Sequence, residues 1–565
     1  MDRDAKMIIY QIFTRLFGNR SVCCQQNGDI HTNGCGKMDD ITKQALHEIK
    51  KLGATHIWYT GVIAHATQTD YSAYGIPQDH PAVVKGKAGS PYAIKDYYDI
   101  DPDLAVHPEK RMEEFEALVK RTQKEGLKVI IDFVPNHVAR QYHSIARPEG
   151  VADLGENDRQ DRAFSPANNF YYIPGQTLGG SIDLYDKVQG YYTENPAKAT
   201  GNNRFDAYPN VNDWYETVKL NYGVDYINNT GCHFDPTPDT WIKMRDILLF
   251  WAGKGVDGFR CDMAEMVPCE FWGWAIPQVK EAYPELIFIA EVYNPNEYRN
   301  YIFNGHFDYL YDKVGLYDTL RGITCGFTSA TAITSCWQGV NDVQEHMLNF
   351  LENHDEQRIA SDFFAGNPFK AFPALVISAC MNTNPMMIYF GQELGEPGMD
   401  CEGFSGRDGR TTIFDYWSVD SIRRWSNHGR FNGHQLTKEE KKVQYFYQKV
   451  LRLCREEAAI SKGEFFDLMY VNLNGWQMNE HKQYAFLRKY ANEVLLFVVN
   501  FGETDMQVAV NLPQHAFDYL QMPAMERCEA KDVLNGGIEE ISFTPDKPIE
   551  LNLHGLESKI LKICF

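Results

Sequence analysis

Eight short apolar runs, each followed by a polar or amphipathic stretch, recur through roughly the first 450 residues of this 565-residue chain. The runs are rich in β-branched and aromatic residues, which favour strands, and several of the intervening stretches have helical periodicity. Near-continuous apolar strands joined by helices are typical of a buried parallel sheet. Eight such units predict a closed (β/α)8 TIM barrel rather than an open sheet. The predicted strands are residues 7–13, 56–59, 128–134, 256–262, 286–291, 307–310, 347–351 and 386–390.

One connection is too long for a loop inside a compact domain. Residues of about 138–237, between the third and fourth strands, are rich in Asn, Asp, Gly, Tyr and Pro, which indicates an inserted domain. After about residue 460 the pattern changes to short strands separated by turns, which predicts a C-terminal antiparallel β-sandwich. We therefore predict a catalytic barrel of residues 1–137 and 238–460, an inserted domain of residues 138–237 and a C-terminal domain of residues 461–565.

Charge and cysteine content narrow the class of protein further. The 55 basic and 76 acidic residues give a net charge of −21, which repels phosphate backbones, so nucleic-acid binding is not expected. The longest apolar runs are far shorter than the ~18 residues of a membrane helix, so a membrane partner is not expected. The chain does not open with a signal-like segment, and its thirteen cysteines lack framework or metal-ligand spacing. We expect reduced thiols and a cytoplasmic location; a periplasmic or secreted protein whose signal was removed is the alternative.

Carboxylates stand at the predicted carboxyl ends of three strands. Asp262 closes the fourth strand, Glu291 closes the fifth, and Asp355 follows the seventh. In barrel enzymes, side chains at this end of different strands converge on the active site. One carboxylate alone is more often a helix N-cap or an ion-pair member, but three at matching ends favour a catalytic site.

The neighbours of these carboxylates suggest different roles for them. Arg260 and Asp262 are two residues apart on a strand, so they project to the same side. A guanidinium beside a carboxylate lowers the pKa of the carboxylate and keeps it ionised, as a nucleophile requires. Glu291 follows an apolar run, where partial desolvation favours the protonated form that a general acid needs. A pair of this kind with a third carboxylate is suited to cleavage of a glycosidic bond.

Six motifs in this chain resemble those of the α-amylase superfamily, glycoside hydrolase family 13, in order and spacing. They are residues 90–97 (SPYAIKDY), 132–137 (DFVPNH), 258–262 (GFRCD), 289–292 (IAEV), 350–355 (FLENHD) and 389–393 (YFGQE). The resemblance implies the same barrel, with the insertion as domain B and the C-terminal segment as domain C. It implies a glycosidase that acts on α-1,4-glucans or maltooligosaccharides derived from starch.

The resemblance also implies a role for individual residues. Asp262 would be the nucleophile of a retaining double displacement, Glu291 the general acid and base, and Asp355 the residue that holds the sugar hydroxyls more tightly in the transition state. Four further residues are implied to bind the substrate: Tyr92, His137, Arg260 and His354.

The sequence departs from the family pattern after the nucleophile. Many endo-acting amylases carry Lys-His where this chain has Glu265 and Met266, so the subsites on the leaving-group side are expected to differ. A cyclomaltodextrinase, an α-glucosidase, a transglycosylase and an isomerase of the same family therefore stay open as alternatives. A non-catalytic relative is disfavoured because all three carboxylates are present.

A second departure concerns calcium. Calcium-binding relatives take ligands from an asparagine that matches Asn136 and from an aspartate late in domain B, where this chain has Lys219. An ammonium group can supply positive charge there without the six or more oxygens that Ca²⁺ requires. We therefore expect no metal ligands and no required cofactor, and bound Ca²⁺ is the alternative.

Overall fold

The computed structural model of the protein describes residues 6–473 and 478–565. The parts of the predicted barrel and C-terminal domain at residues 1–5 and 474–477 therefore lie outside the described residues. Eight parallel strands, labelled β1 to β8, follow one another around a closed barrel, and β8 pairs with β1. The strands are Ile8–Phe13, His56–Thr60, Lys128–Phe133, Gly258–Cys261, Ile287–Ala290, Tyr309–Tyr311, Met347–Phe350 and Met386–Tyr389. The predicted TIM barrel is confirmed.

The barrel is filled by side chains from alternate strand positions, because successive side chains of a strand point to opposite faces. One buried cluster inside it contains Ile9, Trp58, Ile130, Ile289, Leu348 and Met387. Strand β4 contributes Arg260 to the barrel interior, in register with Asp132 of β3 and Ile289 of β5. A buried cation in an otherwise apolar interior requires anionic partners, and these lie at the adjacent strand ends.

Helices pack around the barrel and cover its strands, and one further helix, Gln514–Leu520, lies in the C-terminal segment. Those of seven or more residues, labelled α1 to α10, are Lys43–Leu52, Arg111–Lys124, Asp239–Gly253, Cys269–Ala282, Asp318–Thr324, Ala332–Gly339, Phe372–Cys380, Asp420–Ser426, Lys438–Glu456 and Gln514–Leu520. The connection from β5 to β6 contains a short π-helix, Asn300–Asn304. No helix in the described ranges is both long and apolar enough to cross a bilayer.

The connection between β3 and β4 forms a domain of short strands. They are His137–Ala139, Tyr172–Ile173, Tyr185–Asp186, Gly190–Tyr191, Ala197–Lys198, Thr217–Lys219, Val224–Asp225 and Gly231–Cys232. This segment has a small apolar cluster of its own around Leu178 and Ile182. Thr217–Lys219 pairs with His137–Ala139, which fixes the insertion above the carboxyl end of β3. The inserted domain is thus present, and its exact boundaries stay predictions.

The C-terminal segment is an antiparallel β structure, as predicted. A six-stranded sheet has the order Glu464–Asp467, Gln483–Tyr490, Glu493–Asn500, Ser558–Cys564, Met525–Asp532 and Ile538–Phe543. A separate two-stranded sheet is formed by Met506–Val510 and Ile549–Leu553.

Candidate active site

The carboxyl ends of the barrel strands surround a cavity of about 560 Å³. Five of the seven predicted site residues line it: Tyr92, His137, Asp262, Glu291 and Asp355. The other two, Arg260 and His354, are buried and contact these residues from behind. The structure therefore brings all seven together, although they come from widely separated parts of the chain.

Arg260 links two of the three carboxylates that the sequence singled out. Its Nη1 lies 2.7 Å from Asp262 Oδ1, and its Nη2 lies 2.8 Å from Glu291 Oε2. Its Nε donates a hydrogen bond to the Tyr311 hydroxyl at 3.1 Å. The guanidinium is fully buried and also lies against the ring of Trp58. One planar cation thus pairs with both carboxylates, through a hydrogen bond to Asp262 and through an ion pair without hydrogen-bond geometry to Glu291.

Two of the three carboxyl groups, those of Asp262 and Asp355, hold a proton more readily than an isolated carboxyl would. Burial raises the pKa of Asp262 well above its ordinary value, Arg260 lowers it, and the nearby Glu291 raises it further. Burial and Glu291 also raise the pKa of Asp355, to about 7. The expectation that Arg260 lowers the net pKa of Asp262 is therefore wrong, because burial and like charges outweigh one guanidinium. Asp262 and Asp355 repel each other when both are ionised, so the titration of one depends on the charge of the other.

Glu291 is held at both of its oxygens. Oε2 also accepts a hydrogen bond from the backbone N–H of Met263 at 2.8 Å, and Oε1 accepts one from the Tyr293 hydroxyl at 2.5 Å. Met263 has a left-handed backbone with φ of 41°, which is strained for a residue with a side chain. This conformation directly after Asp262 turns the N–H toward Glu291. Sequence reasoning missed Tyr293, because a tyrosine two residues beyond a strand end has no distinguishing pattern.

Tyr92 and His354 form a stacked pair below the cavity. Their ring centroids are 5.2 Å apart, and the Tyr92 hydroxyl lies 2.6 Å from His354 Nε2. Gln11 of β1 contacts the other ring nitrogen at 2.9 Å, and Asp355 Oδ2 lies 3.1 Å from Nε2. Burial and the adjacent Arg260 hold the pKa of His354 well below its ordinary value, so the ring is neutral. The pair is fixed before any substrate arrives.

The inserted domain contributes a wall that sequence reasoning did not identify. The Trp214 ring lies 5.3 Å from the His137 ring, and the buried Glu216 lines the cavity beside it. Glu216 Oε2 has no hydrogen-bond partner among the described residues. Lys85 and Phe414 complete this side, with the ammonium 4.6 Å from the ring centroid. These residues lie in irregular segments, where only the fold shows that they meet.

Glu265 contacts the protein backbone and does not face the cavity. Its Oε2 accepts hydrogen bonds from the backbone N–H groups of Tyr293 and Asn294, at 3.2 and 3.1 Å. It does not belong to the cavity lining described above. Glu265 therefore supports the segment that follows Glu291.

The residues around Asn136 do not fit a calcium ion. The buried Lys219 ammonium donates to Asn136 Oδ1 and, at 3.1 Å, to the carbonyl of Met266. Burial lowers the pKa of Lys219 to about 7. Within the described parts of the chain, no group of three or more His, Cys, Asp or Glu side chains is placed to hold a metal ion. We propose that Lys219 takes the place of a cation here.

We expect chelation to leave the activity unchanged, because in this account Lys219, and not Ca²⁺, binds Asn136. Activity on a maltooligosaccharide is measured before and after treatment with EDTA. Lys219→Met should lower the unfolding temperature, since it leaves two buried acceptors unpaired, at a cost of roughly 1–3 kcal/mol. Lys187→Met, at an exposed lysine of the same domain, is the matched control. Loss of activity in EDTA with recovery on added Ca²⁺ would contradict this account.

Comparison with known proteins agrees with the resemblance that the sequence motifs indicate. A family model described as the catalytic domain of alpha amylase matches residues 11–463. The chain is 26% identical over 394 residues to Alpha-amylase 3 of Dictyoglomus thermophilum, covering 66% of this chain and 68% of the relative. It is 21% identical over 529 residues to Neopullulanase 2 of Thermoactinomyces vulgaris, covering 90% and 71%.

Solved structures show the same fold over the whole length. The maltogenic alpha-amylase AmyB from Thermotoga neapolitana superposes with a TM-score of 0.63 at 19% identity, covering 99% of each chain. This similarity extends across the barrel, the insertion and the C-terminal sheet.

Proposed function

Because the chain belongs to the α-amylase family, whose catalytic-domain model spans residues 11–463, we propose that this glycosidase cleaves α-1,4-glucosidic bonds with retention of configuration. Its substrates would be starch-derived glucans or maltooligosaccharides. The observation that carries the proposal is the binding of Asp262 and Glu291 by one guanidinium, at 2.7 and 2.8 Å. Retention requires carboxylates only ~5–5.5 Å apart, and a shared guanidinium keeps such a pair close.

In the first step, Asp262 attacks the anomeric carbon and forms a covalent glycosyl-enzyme. Glu291 gives its proton to the leaving glycosidic oxygen, so that the departing sugar leaves as a neutral alcohol. Arg260 holds both groups before the substrate binds, which removes the cost of orienting them during the reaction. Met263 N–H and the Tyr293 hydroxyl fix the direction of the Glu291 carboxyl.

In the second step, Glu291 takes a proton from a water molecule, which attacks the anomeric carbon and releases Asp262. Both transition states carry positive charge on the sugar ring. Asp355 and Asp262 lie beside that ring in the cavity wall, where their ionised forms would stabilise the positive charge. Asp355 is proposed to bind the sugar hydroxyls, and its contact with His354 at 3.1 Å holds it in place.

Transfer of the glycosyl group to a second sugar is the alternative with structural support. Trp214, Phe404 and Phe414 line the cavity and present aromatic surface to it. Such surface binds the apolar faces of a sugar ring, so a sugar acceptor would compete there with water. A cyclomaltodextrinase or an α-glucosidase has the same catalytic residues and differs only in which substrates the cleft admits.

The products of maltoheptaose distinguish these functions. We expect the protein to release mixed short maltooligosaccharides over time, and Asp262→Asn to release none. Products longer than maltoheptaose would instead assign the protein to transglycosylation, and release of glucose or maltose alone would assign it to exo action. An unchanged substrate with the unmodified protein would contradict the proposed substrate class.

The cytoplasmic location stays a prediction. It rests on the thirteen cysteines, whose spacing in the sequence matches no disulfide framework.

A further inference from the structure

The catalytic cavity has two ends, which the barrel topology sets apart. In the proposed mechanism Glu291, directly after β5, protonates the oxygen of the leaving sugar, so that sugar lies on the β5 side. In the closed barrel β5 is opposite β1, and the strands next to β1 are β8 and β2. The sugars that precede the cleaved bond, toward the non-reducing end of the chain, extend the other way, toward β1.

Two segments of the chain meet across the β1 side of the cavity. Residues 85–90 lie between β2 and β3, and residues 413–414 follow β8; together they are called the end wall here. The Ala88 N–H donates a hydrogen bond to the Phe414 carbonyl at 3.1 Å. Gly86 has a φ of 68°, and a β-carbon at this position would lie 2.2 Å from the same carbonyl oxygen. Only glycine allows so close an approach of the two backbones.

A buried arginine holds the two segments of the end wall together. Arg15 follows β1 and is 2% exposed. Its Nη1 donates to the carbonyl of Ile413 at 3.3 Å, and its Nη2 donates to the carbonyls of Ala88 and Gly89 at 3.3 and 3.1 Å. Hydrogen bonds from one buried guanidinium to both segments fix the wall before any substrate binds.

The side chains of the end wall fill the space in front of it. The Lys85 ammonium lies 4.6 Å from the ring centroid of Phe414, and both residues line the cavity. Glu216 of the inserted domain lines the cavity too; burial raises the pKa of its carboxyl, and the Lys85 ammonium lowers it in part. Lys85 forms no hydrogen bond or ion pair with a described residue. Its three N–H donors are therefore available to hydroxyl groups of a sugar.

The opposite end of the cavity is open to solvent. Val314, just after β6 and beside β5, lines the cavity and is 45% exposed, whereas Ile413 and Phe414 in the end wall are 3% and 9% exposed. The volume of about 560 Å³ is within the range of ~300–1,000 Å³ for small-ligand pockets, so it holds a few sugar rings and not a long segment. A linear chain therefore enters with its non-reducing end first.

We propose that the end wall stops the substrate chain a few sugars beyond the cleaved bond, and that Lys85 binds hydroxyl groups of the terminal non-reducing sugar. The inference rests on the proposed function, which sets the direction of the chain in the cavity. Each cut near the end leaves a shorter chain that is cut again, so the products of maltoheptaose still become mixed over time. A cyclic α-glucan has no end to insert and should be a poor substrate.

The first test compares maltoheptaose with the cyclic α-1,4-glucan of the same number of glucose units. The two substrates have the same sugars and linkage, and the ring lacks ends. We expect the initial rate of bond cleavage to be at least about 100-fold lower on the ring, because it collides with a fixed wall. Similar rates on both would overturn the end-wall proposal and leave the proposed function intact. Failure to cleave either substrate would contradict the proposed substrate class instead.

The second test locates the first cut, using maltoheptaose labelled at its reducing end. The labelled products that form first should have lost only a few sugars. Phe414→Ala enlarges the closed end and should move the first cut toward the middle of the chain. Phe327→Ala, at a residue that is 88% exposed and outside the cavity lining, should not move it. First cuts in the middle of the chain with the unmodified protein would overturn the proposal.

The third test concerns the ammonium group itself. Lys85→Met keeps the length of the side chain and removes its donors. It should raise the KM for maltoheptaose roughly 3- to 10-fold, the scale of one hydrogen bond, and should change KM more than kcat. An unchanged KM would show that Lys85 does not bind the terminal sugar. Circular dichroism of each variant shows whether it is folded.

Discussion

Asp262→Asn should reduce kcat/KM on maltoheptaose by at least about 10⁴-fold, the scale seen when a catalytic nucleophile is removed. Asparagine has nearly the shape of aspartate and can still accept a hydrogen bond from Arg260, so the fold should survive. Its amide cannot form the covalent bond to the anomeric carbon. The change is measured as initial rates of reducing-end release, with circular dichroism to show that the variant is folded.

A buried carboxylate outside the site provides the control. Asp312 is 4% exposed, follows β6 directly, and accepts a hydrogen bond from the backbone of Leu316. Asp312→Asn should change stability more than turnover, because Asp312 is not part of the cavity lining. If Asp262→Asn kept more than a few per cent of the original rate, Asp262 would not be the nucleophile.

Glu291→Gln should reduce the rate on maltoheptaose by roughly 10²- to 10⁴-fold, the usual contribution of a general acid and base. Glutamine cannot protonate the leaving sugar. The first step should be far less affected on α-maltosyl fluoride, because fluoride leaves without a proton. The measurement compares the loss on the two substrates and follows the first turnover of the fluoride.

Added azide separates the role of Glu291 as the acid of the first step from its role as the base of the second. Azide needs no general base, so it should accelerate the second step of Glu291→Gln and give an α-configured glycosyl azide. Asp262→Asn should show no such rescue, since it forms no glycosyl-enzyme. An equal loss on both substrates, with no response to azide, would mean that Glu291 is structural.

The barrel could be predicted from sequence because buried parallel strands carry a strong local signal. The predicted run 286–291 contains the observed strand Ile287–Ala290, and the run 128–134 contains Lys128–Phe133. The C-terminal strands Met525–Asp532 and Ile538–Phe543 carry no such signal. Both are only partly buried and mix charged with apolar residues, so neither has a continuous apolar run.

The catalytic carboxylates could be located from sequence because topology alone brings strand ends together. Their titration could not, because it depends on how completely the cavity removes Asp262 and Asp355 from water. The wall that the inserted domain contributes to the catalytic cavity could not be predicted either. Trp214 and Glu216 reach the site only through the path of the inserted domain, and no pattern in their own segment indicates where it leads.

The central claim is that one guanidinium holds a nucleophile and an acid for a double displacement at an α-linked glucan. Proton NMR of maltoheptaose cleavage, recorded within the first minutes and before mutarotation, tests it most directly. Two inversions at the same carbon predict that the new reducing ends appear first as the α-anomer. Initial appearance of the β-anomer would show a single displacement by water, and would contradict the assignment of Asp262 as nucleophile.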